Sequence, residues 1–194
     1  MKAQTRFYPI ILITMSLFLA AATPGLAQSK IWMTPAEIMA TVKPGQWVKM
    51  EGGVQKDLSV QCKELKILTG DFLDDEWSIS MIVKKVDPEK QQVEIMRLPV
   101  KIKQDAEYQA GLKGFSDVKV GMYLDVDGTY LKDGTFLAKQ VEDESIKLVD
   151  KPETANEIDI KGKIEKIDTA NNTLTIMGIT VRITDKTKSR SVIK

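Results

Sequence analysis

The chain contains no histidine and a single cysteine, Cys62. Those two shortages remove intrachain disulfides, the Cys and His zinc patterns, and every histidine-based triad or proton shuttle. No Gly-x-Ser-x-Gly nucleophile elbow occurs,. Charge of one sign is also lacking, with 28 basic residues against 27 acidic ones. A chain without a basic stripe has no electrostatic reason to displace counterions from nucleic acid or to bind anionic lipid strongly. What remains is a chain that holds together by burying apolar surface, and its length is sufficient for that.

The longest apolar run lies at the start. Residues 1–27 carry Lys2 and Arg6, then an apolar stretch from Phe7 to Ala22, then Pro24 and Gly25 before Leu26 and Ala27. Charged, greasy and small residues in that order predict a secretory signal cut after Ala27. The Pro-Gly break argues against a spanning helix. No cysteine follows the cut to accept a lipid. The expectation is a periplasmic or secreted product with no integral membrane segment once the signal is removed.

The rest of the chain repeats itself. Residues 76–102 overlay 157–183 without a gap and with eight identities, among them Ile79/Ile160, Met96/Met177 and Val100/Val181. Residues 42–65 overlay 118–141 with seven identities, including Gly45/Gly121, Gly52/Gly128 and Asp57/Asp133, and Trp47 falls on Tyr123. Apolar and polar residues alternate along Trp77, Ile79, Met81, Val83, again along Val93 and Ile95, and from Leu98 to Ile102. Period two with β-branched residues marks half-buried strands. Asp133-Gly134 predicts a two-residue hairpin, and Asp105 to Lys119 leaves room for a short helix or loop. Thr34-Pro35-Ala36-Glu37 has the pattern of a capping box with proline at the first helical position, so a short helix is expected from Pro35 to about Thr41.

These readings predict an all-β fold with minor α. Residues 28–70 form a short helix and a β-hairpin half module, and 75–145 form one complete five-stranded OB-like barrel. Residues 150–156 serve as a linker, and 157–194 form a three-stranded front half module. Two half modules leave open edges that something must cover. They close a second, permuted barrel within one chain, complement each other between subunits, or add strands to another partner.

The run Phe115-Ser116-Asp117-Val118-Lys119-Val120-Gly121, then Leu124 to Gly128, then Asp133 to Ala138 and Val141, resembles the bacterial exported domain of unknown function numbered 5666. The likeness covers residues 75–145, and 156–183 match its front half. It implies tandem small β-barrels and brings no catalytic residues with it.

The candidate ligand-binding residues are therefore the aromatics Trp32, Trp47, Tyr123 and Tyr130, because rings on an OB-type sheet stack bases or sugars. Trp47 and Tyr123 have a competing reading as core or lid residues. Asp71, Asp74, Asp75 and Glu76 form an acidic cluster, a weak metal candidate without the Gly-centred spacing of a calcium loop; a solvated linker is the plainer reading, and no cofactor is expected. Cys62 falls on the apolar face of a strand and reads as a small inert hydrophobe. The lysine-rich C-terminus reads as solvated. The expected function is a non-enzymatic binding or adaptor module of the cell envelope that recognises a protein, peptide or polysaccharide. The alternative is a structural or assembly protein that self-associates through its half modules.

Overall fold

The computed structural model describes residues 33–69 and 76–193. The chain begins there with α1 (Pro35–Thr41), which is entered through the predicted capping box: the Thr34 hydroxyl accepts from the Glu37 N–H, and the Glu37 carboxylate accepts from the Thr34 N–H. Proline at the first position needs no donor there, and Ile38 and Met39 on one face of the helix are buried.

Twelve strands follow: β1 (Trp47–Val54), β2 (Val60–Thr69), β3 (Trp77–Ile82), β4 (Lys85–Asp87), β5 (Gln92–Ile95), β6 (Leu98–Gln109), β7 (Tyr123–Tyr130), β8 (Phe136–Asp143), β9 (Glu157–Asp168), β10 (Thr173–Ile176), β11 (Ile179–Arg182) and β12 (Lys188–Ile193). A single 3-10 turn, Phe115–Asp117, occupies the long connection before β7. The fold is all-β with minor α, as the alternation predicts. The strands make one hydrogen-bonded sheet rather than separate barrels.

The pairings within that sheet run in two similar circuits. In the first, β3 and β4 are one bent strand, bridged by the Val83 N–H donating to Met122 O and the Lys84 N–H donating to Glu94 O. β4 pairs β5, β5 pairs β6, β6 runs parallel to β8, β8 pairs β7, and β7 pairs β3. In the second, β9 pairs β10, β10 pairs β11, β11 runs parallel to β2, β2 pairs β1, and β1 pairs β9. The front half and the back half thus meet within one chain. Even the bulges recur, between Glu51 and Gly52 in β1 and between Asp127 and Gly128 in β7.

The circuits join where β3 runs antiparallel to β9, with Ser78 opposite Lys161, Ile79 opposite Ile160, and Ser80 opposite Asp159. Ile79 and Ile160 are also mates in the sequence overlay, so the ladder is centred on an approximate two-fold axis. Their side chains share one face of the sheet, and both are fully buried in a single apolar cluster that spans both circuits.

Two local expectations need correction. The Asp133-Gly134 connection is not a two-residue hairpin, because the Leu131 N–H donates to Thr135 O and leaves three residues between them, with Gly134 at φ +84°. That is the three-residue loop with a left-handed last position. The segment predicted as a linker is partly helical: α2 (Ile146–Asp150) leads into a 3-10 turn at Pro152–Asn156. That turn packs on β3 and β9 and buries Thr154.

Candidate functional site

The repeat brings four turns together around the two-fold axis. The β5–β6 turn (Met96, Arg97) and its mate, the β10–β11 turn (Met177, Gly178), face the tips of the β1–β2 and β7–β8 hairpins across a cleft of about 460 Å³. Both two-residue turns have positive φ at each position: Met96 +47°, Arg97 +66°, Met177 +50°, Gly178 +69°. Such turns match the twist of the strands they join, and they favour Asn or Gly. Methionine stands first in both turns and is buried in both, 7% exposed at Met96 and 1% at Met177. The apolar side chain closes the end of each circuit, which offsets the backbone preference.

The polar groups of the cleft cluster at one end. Arg182 Nη2 donates to Asp57 Oδ2 at 2.6 Å, and Arg182 Nε donates to Ser59 Oγ at 2.9 Å. The Ser59 hydroxyl and N–H both donate to Asp57, and these bonds, with Arg182 beside them, hold the Asp57 carboxyl below its ordinary range. Arg97 is exposed and lines the same cleft. Tyr130 lines the cleft, and burial together with Glu165 and Asp133 raises its phenol above the usual value.

Tyr130 ends a row of aromatics. Its ring centroid lies 5.5 Å from that of Trp77, which lies 5.1 Å from that of Trp47. Lys163 Nζ sits 5.0 Å from the Trp47 centroid. These separations are those of interacting ring pairs and of a cation over a ring. Trp77 also seals Gly162, where a Cβ would come within 2.7 Å of the indole.

Of the residues singled out in the sequence, Tyr130 reaches the cleft and Trp47 joins it through Trp77. Tyr123 does not reach a surface. It is 1% exposed, and its hydroxyl donates to Ser80 O at 3.4 Å. Lys147 Nζ lies 5.9 Å from its ring centroid, and its own N–H donates to the Ser145 hydroxyl. Trp32, Asp71, Asp74 and Asp75 lie outside the described residues. Glu76 is paired with Lys139 at 2.6 Å, and among the described residues no group of three acidic or cysteine side chains is arranged to hold a metal. Cys62 is buried, and burial pushes its thiol up to about 12, which leaves it protonated and unreactive at neutral pH,. Ser116 and Lys119 have Ser-x-x-Lys spacing but flank the end of the 3-10 turn, and no bond between their side chains is found among the described residues.

The sequence reading missed Arg97, Arg182, Asp57 and Ser59. A signal for Arg97 was present: only two residues separate Ile95 from Leu98, and a two-residue hairpin demands left-handed backbone. Arg182 and Asp57 are 125 residues apart, and no local pattern joins them.

No curated protein and no solved structure matches this chain. The family described as a domain of unknown function (DUF5666) matches residues 82–142, from the end of β3 through most of β8, and residues 161–192, from within β9 into β12. By that match the chain belongs to the DUF5666 family.

Proposed function

We propose that this protein is an exported, non-enzymatic binding module of the bacterial cell envelope, and that the cleft on the two-fold axis receives a protein segment, a peptide or a polysaccharide chain. The observation that carries the reading is Arg97. It stands exposed on the rim at φ +66°, a conformation that non-glycine residues adopt at a cost and that tends to persist where function needs the side chain. Arg182 with Asp57 and Ser59, and Tyr130 at the end of the aromatic row, supply hydrogen-bonding and stacking groups along the same cleft. A cleft of this size, apolar in part with a few convergent polar groups, has the composition of a ligand site.

Export is supported by the order of residues 1–27, and a non-enzymatic role by the absence of histidine from the whole chain. Pairing of the half modules within one chain supports a monomeric binder over subunit-to-subunit complementation. The test is calorimetric titration of residues 28–194 with defined envelope polysaccharides and peptidoglycan peptides. One class is expected to bind, and Tyr130→Ala and Arg182→Ala each to weaken it about tenfold. Failure of every class to bind, with mass growing as concentration rises in light scattering, would favour the assembly reading instead.

A further inference from the structure

The two sides of the axis are filled differently. On one side Trp77 covers Gly162, and the Tyr130 hydroxyl lies 3.9 Å and 3.4 Å from where a Cβ on Gly134 and on Gly178 would stand. Across the axis the mates of these residues are Ile158 for Trp77, Met81 for Gly162, Val54 for Tyr130, Leu58 for Gly134 and Arg97 for Gly178. No ring stands there. The space is an open pocket of about 430 Å³ whose apolar lining is Val54, Leu58, Met81 and Met96.

Two further differences give that pocket a chemical character. The side that is filled has glycine at left-handed positions 134 and 178, whereas the open side carries side chains at their mates, Leu58 at φ +63° and Arg97 at φ +66°. Left-handed backbone is unfavourable for any residue with a Cβ, and both of these side chains line the pocket. On the filled side the Gly178 N–H donates to both carboxylate oxygens of Glu165, at 3.3 and 3.2 Å. The mate of Glu165 is Lys84. The open side thus has lysine where a carboxylate caps the turn on the other. Lys56, Lys84 and Arg97 line its rim, and the one acid there, Glu94, is held by Lys85 at 2.9 Å.

We propose that this pocket binds an aromatic ring bearing a carboxylate, the ring standing where Trp77 and Tyr130 stand across the axis and the carboxylate where Glu165 stands. The carboxylate meets the Lys84 and Arg97 side chains and the N–H of the Met96–Arg97 turn, and charge-assisted bonds of this kind are the strong ones. The pocket shares only Leu58, Met96 and Arg97 with the cleft, and it stands whether or not the cleft takes a ligand.

The test titrates N-acetyltryptophan, and separately its uncharged amide, into residues 28–194 while following the methionine methyl resonances by carbon-13 NMR. Met81 and Met96 are expected to shift saturably with the acid while Met177 stays still, and the amide is expected to bind about tenfold more weakly. Lys84→Glu changes an exposed residue, supplies the missing carboxylate from the chain itself, and should abolish binding; Val54→Tyr should do so by filling the ring position. Tyr130→Ala, which removes a cleft side chain that does not line the pocket, should leave the affinity unchanged. Absence of a saturable shift, equal affinity for acid and amide, or full binding by Lys84→Glu overturns the proposal. If Val54→Tyr does not fold, the ligand pair and Lys84→Glu decide the question without it.

Discussion

The two circuits of strands share their pairing order, their bulges and their methionine turns, yet of the two sides of the axis between them one is filled by Trp77 and Tyr130 and the other holds no ring. Trp77 and Gly162 on one side correspond to Ile158 and Met81 on the other, so a large and a small residue are exchanged for two of middling size. Cores tolerate such exchanges when total volume is kept. The same holds at the rim, where Tyr130 over two glycines corresponds to Val54 beside Leu58 and Arg97. A duplicated architecture can therefore keep its backbone while its two sides diverge, and around the two-fold axis, where the side chains of both circuits meet, that divergence leaves one side filled and the other open.

The largest break in the comparison should come from Trp77→Ala. The indole packs on Trp47, Tyr130 and Gly162, and removing a tryptophan that bridges so many partners is expected to cost about 3 kcal/mol in chemical denaturation. Gly162→Ala should follow at about 2 kcal/mol, since its Cβ would enter the indole ring,. The pair Trp77→Ile with Gly162→Met imitates the other side and should be less destabilising than the sum of its single changes. Strict additivity in that cycle would mean that the exchange is not a coupled one.

A smaller change sharpens the contrast at the turns. Arg97→Gly and Leu58→Gly give the open side the residues found at Gly178 and Gly134; relief of left-handed strain should raise stability by about 1 kcal/mol in Arg97→Gly, and by less in Leu58→Gly, where a side chain packed against the core is lost,. The reverse change, Gly178→Arg, should lower it by a similar amount. Melting temperatures of the three variants check this, and a loss of stability in Arg97→Gly would show that the arginine side chain contributes more to the fold than its exposure suggests.

Much of this architecture was legible beforehand, and the rest was hidden for identifiable reasons. Alternation gave the strands because side chains in a sheet have period two. Thr34, Pro35 and Glu37 gave α1 its start because capping is local. The repeat offered closure of the second circuit within one chain as one of three alternatives but did not decide among them, because the parallel pairing of Val60 with Val181 joins segments 121 residues apart and the repeat permits the same pairing between chains. The Tyr123 environment was hidden as well. Its position in the strand gives its face, but the cover comes from Ser145 and Lys147, beyond the end of the repeat. The cleft residues Asp57 and Arg182 meet only after both circuits are built.

The smallest expected effect separates the two circuits by charge on the outer face of the sheet. Asp127 and Asp159 are half-buried, and each carboxyl is pushed up to about 6 from an ordinary 3.8. Burial is the main cause for both; Asp125 and Glu76 add to it at Asp127, and Glu51 and Asp125 at Asp159, while Lys161 and Lys139, or Lys49 and Lys147, act against it. A carboxyl whose folded value is raised binds its proton more tightly in the folded chain than in the unfolded one, so stability is fully present below about pH 4 and falls as pH rises through about 6. Acid protonation of the paired carboxylates elsewhere opposes this at the lowest pH, so the melting temperature should be highest near pH 5 and drop by a few degrees towards pH 7.5; partial exposure keeps the effect small. Asp159→Asn, whose mate across the axis is the uncharged Ser78, should flatten most of that slope, and Asp127→Asn, whose mate is Glu51, should flatten the remainder. A wild-type melting temperature that rises from pH 5 to 7.5 would mean that the half-buried carboxylates are better compensated by Lys49, Lys161 and their neighbours than their burial implies.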